Sequence, residues 1–556
     1  MTTSDKWIVQ LTIDQGVAHG IIHWVFSPGS RNAPLALSAD LHPAIETFVI
    51  HDERSAGFFA LGLAEKTGKP VALCCTSGSA LANYLPAVTE AYYRSIPLWI
   101  ISADRPSAWT DQGDGQTLRQ QHLFQGFVHR FVHLEDCSVM EDYLWPYQRE
   151  TALMMHALVH EGPVHLNLGL SEPLYQTTEK IQHFHRSISI HRNHEPNPKT
   201  IEELAALMRG KKILVLCGQM AEHVGLLEAL EQFATLPNVA VLTENISNLP
   251  SEFFNACIDR SLNALPECTI EHYQPEVLLS LGGAVVSKRI KAWLRKVNLL
   301  AHVRIGLAFT EMDTYQQLTH SMVCEPVAFF RKLYEAGIEK TSFDYRSKWK
   351  QIDYLTKDKF NQFKVSSAHL TDFHGYQSFF SWVPEGTVIH LANSSVIRYA
   401  QLFDPIKGCT YFANRGTSGI DGSMSTALGY ASQDDRLNVL IIGDISFLYD
   451  SNALQLKALA PRMKILLMNN HGGGIFRIID GAKDAAQCPK YLEAAHPHNG
   501  SLAEAFGWKY KMIDDITHLD SVMHQFLVTD SIDCLELNTH SEASSSAFKD
   551  IYTFVS

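Results

Sequence analysis

The chain has no apolar run of about 18 residues or more, which excludes an ordinary membrane-spanning helix. Positive charge is scarce. Lys and Arg number 46 against 59 Asp and Glu, a formal net charge of −13, whereas nucleic-acid binders usually present a basic face. No nucleic-acid partner is expected. Cysteine is sparse, 10 in 556 residues. There is no C-x-x-C, and the adjacent pair Cys74-Cys75 is poorly spaced for a metal site. Free thiols in a reducing cytosol are the expectation. The first residues, MTTSDKWIVQ, lack a basic stretch leading into an apolar core, so no secretion signal is expected and the location should be cytoplasmic. The 27 His form no HExxH or other paired metal-ligand spacing.

Short apolar runs alternating with helical patterns are abundant. IIHWVF (21–26), TFVI (47–50), VALCCT (71–76) and LWIISA (98–103) read as buried strands. KILVLCG (212–218), VAVLTE (239–244), VLLSLGG (277–283) and LLAHV (299–303) form a second set, with a helix at 222–234. TVIHLANSS (387–395), LNVLIIGD (437–444), MKILLMNN (463–470) and CLELN (534–538) form a third. Continuous apolar strands between helices predict parallel sheets covered on both faces. The polar stretches 181–199 and 340–370 read as connections. The expected fold is α/β, with three doubly wound parallel-sheet domains at 1–182, 200–340 and 365–556. The first and third could be related.

Two tracts follow strands of the third set and are separated by a helix-length gap: Gly443-Asp444 and Asn469-Asn470-His471-Gly472-Gly473. Adjacent parallel strands would bring Asp444 and Asn470 together at a carboxyl edge, where α/β proteins bind ligands. A carboxylate, an amide oxygen and a backbone carbonyl are hard donors, suited to Mg²⁺ that also holds a diphosphate. The plainer reading is a helix cap and a glycine turn. Far upstream, Glu53 in the tract His51-Asp52-Glu53-Arg54 follows a strand and opens a helix. It can be an acidic first-turn residue, or a carboxylic acid that takes part in proton transfer.

SPGSR (27–31), HDER (51–54), TSGSA (76–80), SADRP (102–106), NRGTSGIDG (414–422) and GDI (443–445) occur in this order over almost the whole chain. Together they resemble the thiamine-diphosphate enzymes, and within them the 2-succinyl-5-enolpyruvyl-6-hydroxy-3-cyclohexene-1-carboxylate synthases of menaquinone biosynthesis. That resemblance implies a transferase that decarboxylates 2-oxoglutarate and adds the succinyl carbanion to isochorismate. It implies thiamine diphosphate and Mg²⁺ or Mn²⁺ as cofactors, and a homodimer or homotetramer with shared active sites. Glu53 would be the activating acid. Asp444, Asn470 and the Gly472 carbonyl would hold the metal. Ser394, Gly443, Ile420 (the wedge that bends the cofactor) and Phe476 would line the cofactor site. Ser30, Arg31, Arg105, Gln116, Lys288, Arg289, Arg398 and Arg415 would line the substrate pocket.

The arginines fit that reading physically, because both substrates are dicarboxylates and Arg binds carboxylates with a planar two-donor fork. An isolated Arg would more simply be a surface ion pair. There are two departures. Ile445 stands where the wider superfamily has Gly after Gly-Asp, and Gly115 stands where Asn is associated with this family. A 2-oxoacid decarboxylase or acetohydroxyacid-type synthase would share the cofactor residues but needs fewer cations. A non-catalytic nucleotide-binding protein would share only the fold class.

Overall fold

A computed structural model describes residues 2–137, 140–265, 267–338, 344–478, 490 and 499–556. The chain divides into two compact units. One comprises Met1–His191, Gly416–Asp435 and Tyr449–Met463, and the other Arg192–Arg415, Arg436–Leu448 and Lys464–Ser556.

The first unit is built on a six-stranded parallel sheet. Its spatial order is Glu46–Val49, His23–Ser27, Val71–Cys75, Leu98–Asp104, Val164–Gly169, Arg130–Glu135. Residues alternate between the faces, so Trp24, Phe26, Ala72, Cys74, Trp99 and Ile101 share one core with the helices Trp7–Ala18, Ala33–Asp40 and Met140–His160. Trp24 and Trp99 are fully buried and meet edge to face at 5.5 Å, worth about 0.5–1.5 kcal/mol beyond their area. The helix Glu53–Thr67 lies in the same unit and packs on the helix Ser423–Ala431. Their backbones touch, since a Cβ on Gly62 would lie 1.9 Å from the Thr426 carbonyl oxygen and one on Gly429 2.0 Å from that of Phe59. Only glycine permits this approach at both positions.

The second unit holds two large sheets. A five-stranded sheet runs Val239–Leu242, Ile213–Cys217, Val277–Leu281, Ala301–Gly306, His320–Val323, all parallel. Ile213, Val215 and Cys217 enter one core and Leu214 and Leu216 another, as a sheet covered on both faces requires. The other sheet runs Thr410–Phe412, Val388–Leu391, Asn438–Gly443, Met463–Asn469, Cys534–Asn538, Tyr510–Ile513. Taken in chain order, its strands are arranged as in the sheet of the first unit, second-first-third-fourth-sixth-fifth. The α/β reading holds, and the common strand order agrees with a relation between the first and third strand sets.

All twelve strands expected from the sequence form. The structure adds Arg130–Glu135, Val164–Gly169, His320–Val323, Thr410–Phe412 and Tyr510–Ile513, with a short antiparallel pair joining Thr3–Ser4 to Thr177–Thr178.

Val164–Gly169 was masked by its inward polar residues. His165 and Asn167 are fully buried. Ser102 gives its one proton to Asn167 Oδ1 (2.6 Å), so His165 Nε2–H must donate to Ser102 Oγ (2.7 Å). His165 Nδ1 then stays bare beside Phe124 and Phe131. Burial, aided by His133 and His122, holds the imidazole down at about 3. The unfolded chain takes up this proton below about 6.5, whereas the native chain does so only near 3. Native stability is therefore expected to fall on acidification between these values, with a slope of up to about 1.4 kcal/mol per pH unit from this group. Urea melts of wild type and His165→Gln between pH 7 and 4 check this, and equal slopes would refute it.

Candidate active site

In the first unit, Asp52 caps the helix Glu53–Thr67 by accepting from Ser55 N at 3.0 Å. This puts Glu53 in the first turn, where the helix dipole favours an acid. Glu53 is half-buried, and its Oε2 accepts from Asn83 Nδ2 at 3.2 Å. Its neighbours hold it from both sides. Asp52 accepts from Asn452 Nδ2, and Arg54 donates to the Tyr449 carbonyl with its guanidinium 4.6 Å above the Tyr449 ring. One turn along, Phe58 lies against Gly422, where a Cβ would sit 2.1 Å from the ring. Gly422 (φ +71°) ends the loop bearing Ile420, which is half-buried.

The strand order of this sheet reverses between His23–Ser27 and Val71–Cys75, a place where such sheets bind ligands. Ser30 and Arg31 follow the first of these strands. Arg31 is buried and donates to the Leu170 carbonyl (2.9 Å) and to Glu172 (3.3 Å), while exposed Ser30 meets the Tyr175 hydroxyl at 3.1 Å. Burial pushes the Arg31 guanidinium down, and the charge of nearby Arg105 adds to this. Arg105 pairs with Asp114 at 2.7 Å and donates through Nε to the Gly115 carbonyl at 3.0 Å. Gln116 is exposed with φ +57°, and its backbone lies 3.3 Å from where a Gly78 Cβ would be. Arg31 and Arg105 are thus brought together, and Gln116 adjoins the turn after Val71–Cys75.

In the second unit, the corresponding reversal falls between Val388–Leu391 and Asn438–Gly443. Ser394 follows the former with φ +73°, a strained conformation for a residue with a side chain. Gly443 and Asp444 end the latter, with Gly443 in reach of Val396. Asp444 is 3% exposed. Burial pushes its carboxyl up to about 7, despite backbone donors at Ile445 and Gly472. Its Oδ2 is buried with no hydrogen-bond partner. Asn470, also buried, donates Nδ2 to Asp372 at 2.9 Å, leaving its Oδ1 as the ligand end. The backbone turns sharply there, with His471, Gly472 and Gly473 all at positive φ. Phe476 is half-buried in the next turn.

An unpartnered buried carboxylate oxygen, a pinned amide and a glycine turn fit a hard divalent ion such as Mg²⁺ or Mn²⁺. Among the described residues no cluster of three or more His, Cys, Asp and Glu could hold a metal. Asp372 was not foreseen. As a residue just after a threonine cap it carried no sequence signal beyond the start of a helix, Asp372–Trp382.

The cations of this unit gather around two buried acids. Lys288 and Arg289 open the helix Lys288–Leu294, capped by Ser287, and both are exposed. Arg289 donates to Asn263 Oδ1 (2.6 Å) and covers the Tyr552 ring at 4.2 Å. Arg289 and Arg398 both pull down on the Asp259 carboxyl, which burial pushes up. Arg415 bonds Asn393 Oδ1 at 2.7 Å and acts likewise on Glu244, whose carboxyl burial holds near 7. Lys291 was not anticipated. Burial lowers its pKa, Glu244 opposes this, and Arg415 and Arg398 reinforce it. Its place three residues after Lys288, on the same helix face, was the available signal.

Residues 7–126 match the family model described as the thiamine pyrophosphate enzyme, N-terminal TPP binding domain. A 2-succinyl-5-enolpyruvyl-6-hydroxy-3-cyclohexene-1-carboxylate synthase of Flavobacterium johnsoniae is 41% identical over 92% of this chain and 92% of its own. Synthases of the same name from Bacteroides thetaiotaomicron (36% identical, 99% of each chain) and Porphyromonas gingivalis (34%, covering 100% of this chain and 98% of its own) match end to end. The chain belongs to this synthase family. It is a thiamine-diphosphate enzyme, and Glu53 lies inside the matched cofactor-binding domain.

Within the synthase framework, Gly115 is free of conformational need. It is absent from the positive-φ glycines, and a Cβ there would meet nothing within 4 Å. Arg105 is held by the backbone carbonyl at this position, which any residue supplies. Gly115→Asn is expected to change stability by no more than about 0.5 kcal/mol, read from urea melts.

No helix among the described residues is long and apolar enough to cross a membrane.

Proposed function

We propose that the chain decarboxylates 2-oxoglutarate and adds the succinyl fragment to isochorismate, giving 2-succinyl-5-enolpyruvyl-6-hydroxy-3-cyclohexene-1-carboxylate and CO₂ in menaquinone biosynthesis. The observation that carries the substrate reading is the concentration of cations in an acidic protein. Arg31 and Arg105 adjoin in one unit, and Arg289, Lys291, Arg398 and Arg415 surround Asp259 and Glu244 in the other. Guanidinium groups suit dicarboxylates, which they bind with a planar two-donor fork, whereas small neutral acceptors make no use of such charges. Ser30, Gln116 and Lys288 are the further substrate contacts of this reading.

Asp444, Asn470 and Gly472 would hold Mg²⁺ or Mn²⁺, and Gly443, Ser394, Ile420 and Phe476 would line the cofactor. When bound, thiamine diphosphate supplies the electron sink that decarboxylation requires. The chain's own work is then limited. Glu53 would be the acid that meets the cofactor's pyrimidine. The arginines orient carboxylates.

The enzyme would act in the cytoplasm as a homodimer or homotetramer with active sites shared between subunits. An active monomer in light scattering would refute that assembly. The test of function is an assay with 2-oxoglutarate, isochorismate, thiamine diphosphate and Mg²⁺. Isochorismate should disappear only when 2-oxoglutarate is present. Turnover with pyruvate but not with 2-oxoglutarate would favour an acetohydroxyacid-type synthase instead.

A further inference from the structure

Glu90 is a buried acid to which the reaction gives no role. It lies on the helix Leu85–Arg94 and is 1% exposed. Its Oε1 accepts from Gly416 N at 2.8 Å, and its Oε2 accepts from Thr417 N at 2.7 Å and Thr417 Oγ1 at 2.9 Å. Both partners stand at the start of the loop that runs to Ile420. The loop is also close to the helix backbone, since a Cβ on Gly416 would lie 2.7 Å from the Glu90 carbonyl oxygen. At its other end it is stopped by Phe58 against Gly422.

Behind Glu90 stands Arg94, 3.9 Å away and paired with Glu65. Burial pushes the Glu65 carboxyl up and Arg94 opposes it. The three residues carry two acids and one base, so Arg94 is already shared. The donors that satisfy the Glu90 carboxylate come from the loop. A buried carboxylate without donors is costly, so the loop start and the carboxylate hold each other in one geometry. A neutral side chain would not do this, because charge-assisted hydrogen bonds are roughly twice as strong as neutral ones.

We propose that Glu90 is a positioning residue that fixes the 416–422 loop, and through it the placing of Ile420 against the thiamine ring system. This rests on the cofactor reading of Ile420. The consequence is specific. Loss of the clamp displaces the wedge, which alters the shape of bound cofactor and slows turnover without removing any group that binds substrate carboxylates.

The test uses full-length protein loaded with thiamine diphosphate and Mg²⁺. Glu90→Gln keeps the shape but turns an amide NH₂ toward N–H donors. It should bind cofactor by calorimetry and show near wild-type KM for 2-oxoglutarate. Its kcat should fall about 10–100-fold, the scale of a misplacement near 1 Å. The near-ultraviolet circular dichroism of saturated cofactor, which reports the pyrimidine tautomer, should change. Thr417→Val should lose less, and the double variant should lose no more than Glu90→Gln alone, because both act through one contact. Wild-type kcat and dichroism in Glu90→Gln, or additive losses in the double variant, would overturn the proposal. If Glu90→Gln does not fold, Gly416→Ala, which pushes loop and helix apart, decides. A folded Gly416→Ala with wild-type kcat and dichroism overturns it, and the expected losses support it. Wild-type protein that binds no thiamine diphosphate would instead overturn the cofactor reading on which it rests.

Discussion

Glu53→Gln is expected to fold and to bind thiamine diphosphate while losing about 10²–10⁴-fold in turnover, the range that proton transfer by a placed side chain contributes. The structure explains why folding should survive. Helix capping belongs to Asp52, through Ser55, and the grip on the 449–452 segment belongs to Asp52 and Arg54. Glu53 itself accepts one 3.2 Å bond from Asn83, which the Gln oxygen can still accept. Its carboxyl is thus spared structural duty. Isochorismate consumption under saturating cofactor measures the effect, with far-ultraviolet circular dichroism as the folding control. Near wild-type turnover in a folded variant would exclude Glu53 as the activating acid.

Asp444→Ala should lose at least about 100-fold in affinity for thiamine diphosphate with Mg²⁺. Removing only an outer partner of a metal ligand costs about 10–100-fold, and here a proposed ligand itself is lost. Asp444 offers a buried oxygen with no protein partner, and substitution deletes that donor. Asp372→Asn makes the comparison informative. Asp372 pins the Asn470 amide at 2.9 Å and accepts from Thr539 Oγ1 at 2.6 Å, so its loss should fall within the outer-partner range of about 10–100-fold. Calorimetric titration at fixed Mg²⁺ gives both values. Equal affinity in Asp444→Ala and wild type would remove Asp444 from the metal site.

The two effects separate the parts of the site. Loss at Asp444 appears in binding and loss at Glu53 in turnover. The Glu90 clamp should resemble the second in kinetics but differ from it in the dichroism of bound cofactor.

The central strands were legible because a parallel strand covered on both faces is a continuous apolar run, as in LNVLII and MKILLM. The strands that escaped notice depart from that pattern for identifiable reasons. His320–Val323 and Tyr510–Ile513 are edge strands with exposed residues, Thr410–Phe412 is three residues long, and Val164–Gly169 turns His165 and Asn167 inward.

The same division runs through the site. The sequence alone determined the α/β class and, through its resemblance, the cofactor and the residues proposed to meet it, because strand-end loops are short and their chemistry is written locally in tracts such as NRGTSGIDG and GDI. Only the tertiary structure decided what holds those residues. Asp372 pins Asn470, Lys291 joins Arg398 and Arg415, and Glu90 closes on Gly416 and Thr417 across 326 and 327 positions of chain. Such partners leave no local mark, because a buried acid is recognised by the donors that face it, and those donors come together only when the chain folds.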